Sequence, residues 1–312
     1  MIFVFFHGIA QEGRNTDALS TLWIDSIRVG LDRAGSNNSL PSREQVVMPF
    51  YGDLLARLTP KVHEKVEGAG NARSLIAPNE QDELFKRFAP STTMDQLCSE
   101  IRRAKVDSRD QLLDESGHRT RGFTSNALGA FSLVIPVAVQ NQIVNQVLRQ
   151  VAAYLDDALL KRTILELASS ALREGANKAE LANEPLIVVA HSLGTVIALE
   201  ALADFEGGCV DLLMTIGSPL STETVASRMN QKARRWPAVV KKWVNIADPE
   251  DIVALHHSID RRNFLKTCSD RDPAAVWNIL DVKNHMSNHH GIAGYLDDPV
   301  VAQLLTNDKL WV

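Results

Sequence analysis

The chain has 312 residues, 45% of them hydrophobic, enough to bury a large core as one elaborated domain or as two small ones, one domain being the default. A net charge of −5, with the basic pairs Arg102-Arg103, Arg234-Arg235, Lys241-Lys242 and Arg261-Arg262 scattered among acids, gives no electrostatic case for binding nucleic acid or an anionic membrane. Three cysteines, Cys98, Cys209 and Cys268, form an odd set without metal-like spacing, which disfavours a disulfide framework and suits a reducing compartment such as the cytoplasm.

The opening MIFVFFHGIA lacks a basic leader, and its apolar stretch before His7 is too short for a signal peptide or a membrane span. It reads as a strand, Ile2 to Phe6, followed by a helix over Thr16 to Ala34 and a second strand over Gln45 to Phe50. Asp53 then reads as a helix N-cap. About 135 residues separate this strand from the next, far more than one crossover helix needs, so a mostly helical insertion is expected over about residues 60–155. Its expected parts are a punctuated stretch near Gly68 to Pro78, a helix near Thr93 to Ala104, a charged loop from Val106 to Gly122 and a helical region from about Asn141. Within it, the apolar run 127–139 contains Ser132 and Pro136 and falls short of the roughly 20 residues of a spanning helix, so it is not transmembrane. It reads as a buried helix or lid; the sharper alternative is an acyl-chain wall bearing Phe131 and Leu133, or a shallow membrane contact.

Beyond the insertion, apolar runs alternate with helical patterns. Strands are expected over Leu186 to Ala190, Leu212 to Ile216, Lys242 to Ala247 and Val276 to Val282, and helices over Leu160 to Leu181, Thr195 to Phe205 and Thr222 to Arg234. Such alternation predicts a doubly wound, mainly parallel sheet of six or more strands in the order 2-1-3-4-5-6, carrying the insertion as a helical cap on a single domain, 1–312. The tryptophans, Trp23, Trp236, Trp243, Trp277 and Trp311, are dispersed and read as core packing.

PLIVVAHSLGTVIALEAL, residues 185–202, reads strand, tight turn, helix, with the polar pair His191-Ser192 at the turn. A nucleophilic serine on such a turn needs small residues two before and two after it, because the backbone is cramped. Ala190 and Gly194 meet that demand. A plain helix N-cap is the other reading of Ser192. Downstream, DPED offers Asp248, Glu250 and Asp251 as an acid, and KNHMSNHHGIAGYLDDP offers His285, His289 and His290 as a base. Metal binding by His285 and His289, four residues apart, lacks a supporting carboxylate pattern.

VVAHSLGTVIALEAL resembles the nucleophile elbow of the α/β-hydrolase family, particularly bacterial serine esterases and lipases. FVFFHGIAQ, MTIGSPL, WVNIADPEDIVA and HHGIAGYLDDPVV extend the resemblance in the family's order over most of the chain. Residues 60 to 150 match nothing in it, and the first elbow position is Ala190 where the family has Gly. The opening antiparallel hairpin of many members is also missing. The resemblance implies an α/β-hydrolase fold and a serine hydrolase cleaving small-molecule or lipid esters without cofactor or metal. It points to Ser192 as nucleophile, Asp251 over Asp248 as acid, and His290 over His289 as base. Backbone N–H groups of Leu193 and Ile9 are expected to form the oxyanion hole. Ser218, in GSPL, is a weaker candidate for the pocket wall beside Phe131 and Leu133, Gly-Ser-Pro reading first as an ordinary turn. A peptidase or amidase would use the same residues, and a non-catalytic interaction protein is the remaining alternative.

Overall fold

In the computed structural model, the structure describes residues 1–9, 11, 13–58, 93, 96–97, 99–100, 149–254, 257–266, 276–286 and 289–311. Six strands form one parallel sheet: β1 (Ile2–Phe6), β2 (Val46–Val47), β3 (Leu186–His191), β4 (Val210–Ile216), β5 (Val240–Ile246) and β6 (Trp277–Ile279). Their order is β2-β1-β3-β4-β5-β6, as expected from the alternation of runs. The chain leaves β1 toward one side and returns on the other, which makes the β1–β3 boundary a switch point, where open α/β sheets form a crevice at their carboxyl ends.

Both faces of the sheet are covered, which is why its strands read as unbroken apolar runs instead of alternating ones. Val4, Phe6, Val188 and Ala190 pack on one face with the helices α3 (Ala158–Ala182), α4 (Leu193–Leu202) and α5 (Glu223–Arg228). Phe3, Phe5, Ile187, Val189 and Met214 pack on the other with α1 (Thr16–Arg33), α6 (Ile292–Leu296) and α7 (Pro299–Thr306). A further helix, α2 (Gly52–Leu58), follows β2.

Two strands are shorter than their apolar runs. β2 stops at Val47 because the chain turns back toward the end of β1, where the Tyr51 N–H donates to His7 Nε2 at 3.2 Å. β6 keeps only Trp277–Ile279 and leaves Trp277 half exposed, so that tryptophan is not core. The helix expected over Thr222 to Arg234 breaks at Met229, whose backbone is extended, and resumes as a 3-10 turn capped by Asn230. Asp53 is not an N-cap: it sits inside the first turn of α2, and its Oδ1 accepts the Gly13 N–H at 2.9 Å.

Most of the expected insertion, including Phe131, Leu133 and all of 127–139, lies outside the described residues. Residues 149–156 are helical, as are Thr93, Gln96, Leu97, Ser99 and Glu100. These pieces are tied together by Thr93 Oγ1 donating to Asp156 Oδ1 at 2.6 Å, and to α5 by Glu100 Oε1 accepting the Thr224 N–H at 2.8 Å. A buried carboxylate joins them to the helix after the His-Ser turn. Glu200 of α4 receives the Tyr154 hydroxyl at 2.6 Å, the Lys161 ammonium at 2.6 Å and the Asn230 N–H at 2.9 Å. With three donors, the charge is compensated despite its burial. Among the described residues, no helix is long and apolar enough to cross a membrane.

Candidate functional site

Ser192 stands between the end of β3 and the first residue of α4, with φ 54° and ψ −129°. A non-glycine residue in that region costs roughly 1–3 kcal/mol and persists only where its surroundings enforce it. Several contacts do so. The Ser192 N–H donates to Ile216 O of β4 at 3.0 Å, and the Ser192 carbonyl accepts both the Thr195 N–H at 2.9 Å and the Thr195 hydroxyl at 2.7 Å. Because the Thr195 proton is committed there, the Ser218 hydroxyl must donate to Thr195 Oγ1, at 2.8 Å, while accepting the Leu220 N–H at 3.2 Å. Ser218 is thus a brace behind the turn. Gly194 allows α4 to press on the end of β1: a Cβ there would lie 2.3 Å from Phe6 O.

The Ser192 side chain makes no cap hydrogen bond to the helix it precedes, which leaves the N-cap reading without support. Its Oγ lies 2.9 Å from His290 Nε2. The other ring nitrogen, Nδ1, lies 2.8 Å from Asp251 Oδ2 and 3.0 Å from Oδ1. All three side chains are buried, Ser192 completely.

The Asp251 carboxylate is held by donors to both of its oxygens. Asp251 Oδ1 accepts the Val253 N–H at 2.9 Å, and Oδ2 accepts the Tyr295 hydroxyl at 2.7 Å. Burial alone would raise its pKa, but the His290 imidazole and these donors more than offset that and hold the carboxyl below its ordinary range. Gly217, with φ 53°, leaves the space in which Asp251 and His290 meet: a Cβ there would lie 2.9 Å from Asp251 Oδ2 and 3.3 Å from His290 Nδ1.

The competing candidates have other partners. Asp248 accepts the Glu250 N–H and the Asn284 N–H, each at 2.6 Å, and so clamps the acid loop to the loop that carries the histidines. His289, in a positive-φ turn, places its ring nitrogens 3.5 Å from Asp248 Oδ2 and 3.2 Å from Glu250 Oε2. His285 lies 3.5 Å from Asp297 Oδ2. Among the described residues, no group of three or more His, Cys, Asp or Glu side chains is arranged to hold a metal ion.

Two further histidines were not assigned from the sequence. His191 donates from Nε2 to the His290 carbonyl at 2.8 Å, and burial, aided by the nearby His290, lowers its pKa to about 3. His7 donates from Nδ1 to Gly8 O at 2.7 Å, accepts the Tyr51 N–H on Nε2 and stacks on the Tyr51 ring, whose hydroxyl donates to His7 O. Burial lowers its pKa to about 4. Both rings are therefore neutral at pH 7 and act as fixed pins. His7 shapes the loop after β1, and His191 holds the backbone of His290. Nothing in the one-dimensional pattern distinguishes such pins from solvent-facing histidines, because their partners are main-chain atoms and residues distant in sequence.

Among the described residues, the N–H groups of Ile9 and Leu193 have no hydrogen-bond acceptor, and Leu193 N–H opens α4, where the helix dipole favours negative charge. Chemically, the arrangement can pass the Ser192 proton to His290 while Asp251 balances the resulting imidazolium. No family model, curated protein or solved structure matches this chain.

Proposed function

We propose that this chain is a serine hydrolase of α/β-hydrolase type, cleaving carboxylic esters through Ser192, His290 and Asp251. The observation that carries the reading is the single imidazole lying within hydrogen-bond distance of both Ser192 Oγ and Asp251, which stand on separate segments of the chain. The strained backbone of Ser192, at the carboxyl end of a central strand, supports the same reading.

In the proposed mechanism His290 Nε2 takes the Ser192 proton as Oγ attacks the ester carbonyl. Asp251 keeps the ring oriented and stabilises its charge. The N–H groups of Leu193 and Ile9 receive the oxyanion of the tetrahedral intermediate. His290 then protonates the departing alkoxide, leaving an acyl group on Ser192, and the same steps with water release the acid. Side chains and backbone carry every step, so the reaction calls for no cofactor. The substrate is a small-molecule or lipid ester, with Phe131 and Leu133 of the insertion as the proposed acyl-chain wall. A chain with three cysteines and no disulfide-like spacing fits a cytoplasmic setting.

The test is a panel of p-nitrophenyl esters of increasing chain length beside matched anilides. The reading expects ester turnover, and Phe131→Ser with Leu133→Ser should lower activity on long chains more than on acetate. Anilide turnover exceeding ester turnover would make the chain an amidase. No turnover of either class by folded protein would favour an interaction protein built on the same scaffold.

A further inference from the structure

The geometry points to Tyr295 as a positioning residue that sets the strength of the acid–base pair, through a hydroxyl fixed between the backbone of Asp248 and the carboxylate of Asp251. The inference rests on the reading of His290 as base and Asp251 as its partner.

Tyr295 lies on α6, immediately after the loop that carries His290, and is completely buried. Its phenol oxygen accepts the Asp248 N–H at 3.0 Å. That donor fixes the direction of the remaining bond: the phenol proton must point to Asp251 Oδ2, 2.7 Å away. Burial, reinforced by the adjacent carboxylate, raises the pKa of the phenol far above its ordinary value, so the proton stays in place across the working pH range. The oxygen receiving it, Oδ2, is also the closer of the two to His290 Nδ1. Tyr295 and His290 therefore compete for the same negative charge.

This competition determines the sign of the effect. A donor on Oδ2 disperses charge that would otherwise stabilise the imidazolium form of His290. Its removal strengthens the Asp251–His290 interaction, keeps the base protonated to higher pH, and moves the acid limb of the activity profile upward. The other titratable groups around the pair do not supply this control. His191 is neutral and bonds the His290 carbonyl, Asp248 is engaged by two backbone N–H groups, and His289 faces Asp248 and Glu250.

The experiment compares wild type with Tyr295→Phe. Two quantities are read: the pH profile of kcat/KM on a p-nitrophenyl ester, and the NMR resonance of the His290 Nδ1 proton. The expected result is an acid limb moved up by about half a pH unit or more, with the Nδ1 proton shifted downfield. A purely structural role for Tyr295 would lower thermal stability and leave both quantities in place, and that result overturns the inference. Where Tyr295→Phe does not fold, 3-fluorotyrosine at position 295 replaces it. A stronger donor there should move both quantities the opposite way, and no movement again overturns the inference. Failure of the functional reading is separately visible: wild type would show no ester turnover at any pH. In that case a downfield shift in Tyr295→Phe still supports the positioning role, and an unmoved resonance refutes it.

Discussion

The two halves of the candidate site are held by different means. The serine half, built from the ends of β1 and β3 and the start of α4, is fixed by backbone: parallel strand pairing, a positive φ at Ser192, and Gly194, where a Cβ would lie 2.3 Å from Phe6 O and 2.7 Å from His7 O. The Asp251–His290 half sits on loops and is fixed by a web of side-chain hydrogen bonds from Asp248, Asn284 and Tyr295. Asn284 Nδ2 donates to Gly291 O at 2.8 Å, beside His290, so the web reaches both members of the pair. His191 joins the halves, carrying a side-chain bond from β3 to the His290 carbonyl. The difference teaches that the first half tolerates almost no change in shape, whereas the second is sensitive to the loss of individual donors and acceptors.

The comparison can be broken most forcefully at Gly194. Gly194→Ala places a methyl group against two backbone carbonyls that cannot move without shifting β1, so a loss of about 3 kcal/mol or more is expected in denaturant unfolding. A loss of only a few tenths would show that the turn is not held by close packing.

Acid titration tests the buried pins next. His7 and His191 have folded pKa values of about 4 and about 3, below the 6.5 of the free group, so the unfolded chain binds more protons in that interval. Stability therefore falls as pH drops from about 6.5 to about 4, by roughly 3 kcal/mol for each ring. Asp251, with its lowered pKa, adds a further loss below its ordinary 3.8. Unfolding free energies measured from pH 7 to 4 should show this slope, and His191→Gln should flatten it. An unchanged slope in that variant would contradict a neutral His191.

Asp248→Ala sharpens the contrast from the other side. It leaves the Glu250 and Asn284 N–H groups without their acceptor, at about 1–3 kcal/mol for the buried Asn284 donor and less for the exposed Glu250, while β3 and α4 keep their contacts. Hydrogen exchange should accelerate in residues 248–254 and 284–291 and remain slow in 186–202. Uniform acceleration would mean that the halves are mechanically one.

The same division explains what the sequence makes legible. Strand order, the alternation of elements and the turn at Ser192 are local patterns: apolar runs of strand length, a helical repeat after Thr195, and small residues at 190 and 194. The choice of His290 over His289 required the resemblance, because two adjacent histidines in one loop have no periodicity to separate them. Their separation arises from the positive φ at His289, which turns that ring toward Asp248 and Glu250. The roles of His7, His191 and Tyr295 are not legible, since each depends on partners brought together only by the fold: Tyr51, the His290 carbonyl, and Asp248 with Asp251. Ser218 reads first as a turn residue and only weakly as a pocket wall; that its hydroxyl bonds into the turn behind Ser192 has no signal in the sequence. The shortened β2 and β6 reflect tertiary demands on the chain after an apolar run, which the run itself does not encode.

The central claim is that His290 activates Ser192 for attack on a carbonyl-like centre. Its most direct test is labelling of the intact chain with a fluorophosphonate probe, followed by mass mapping of the modified peptide. The account predicts stoichiometric modification at Ser192, abolished in Ser192→Ala and slowed by several orders of magnitude in His290→Ala. Modification at another residue, or none at Ser192 in folded protein, would contradict it.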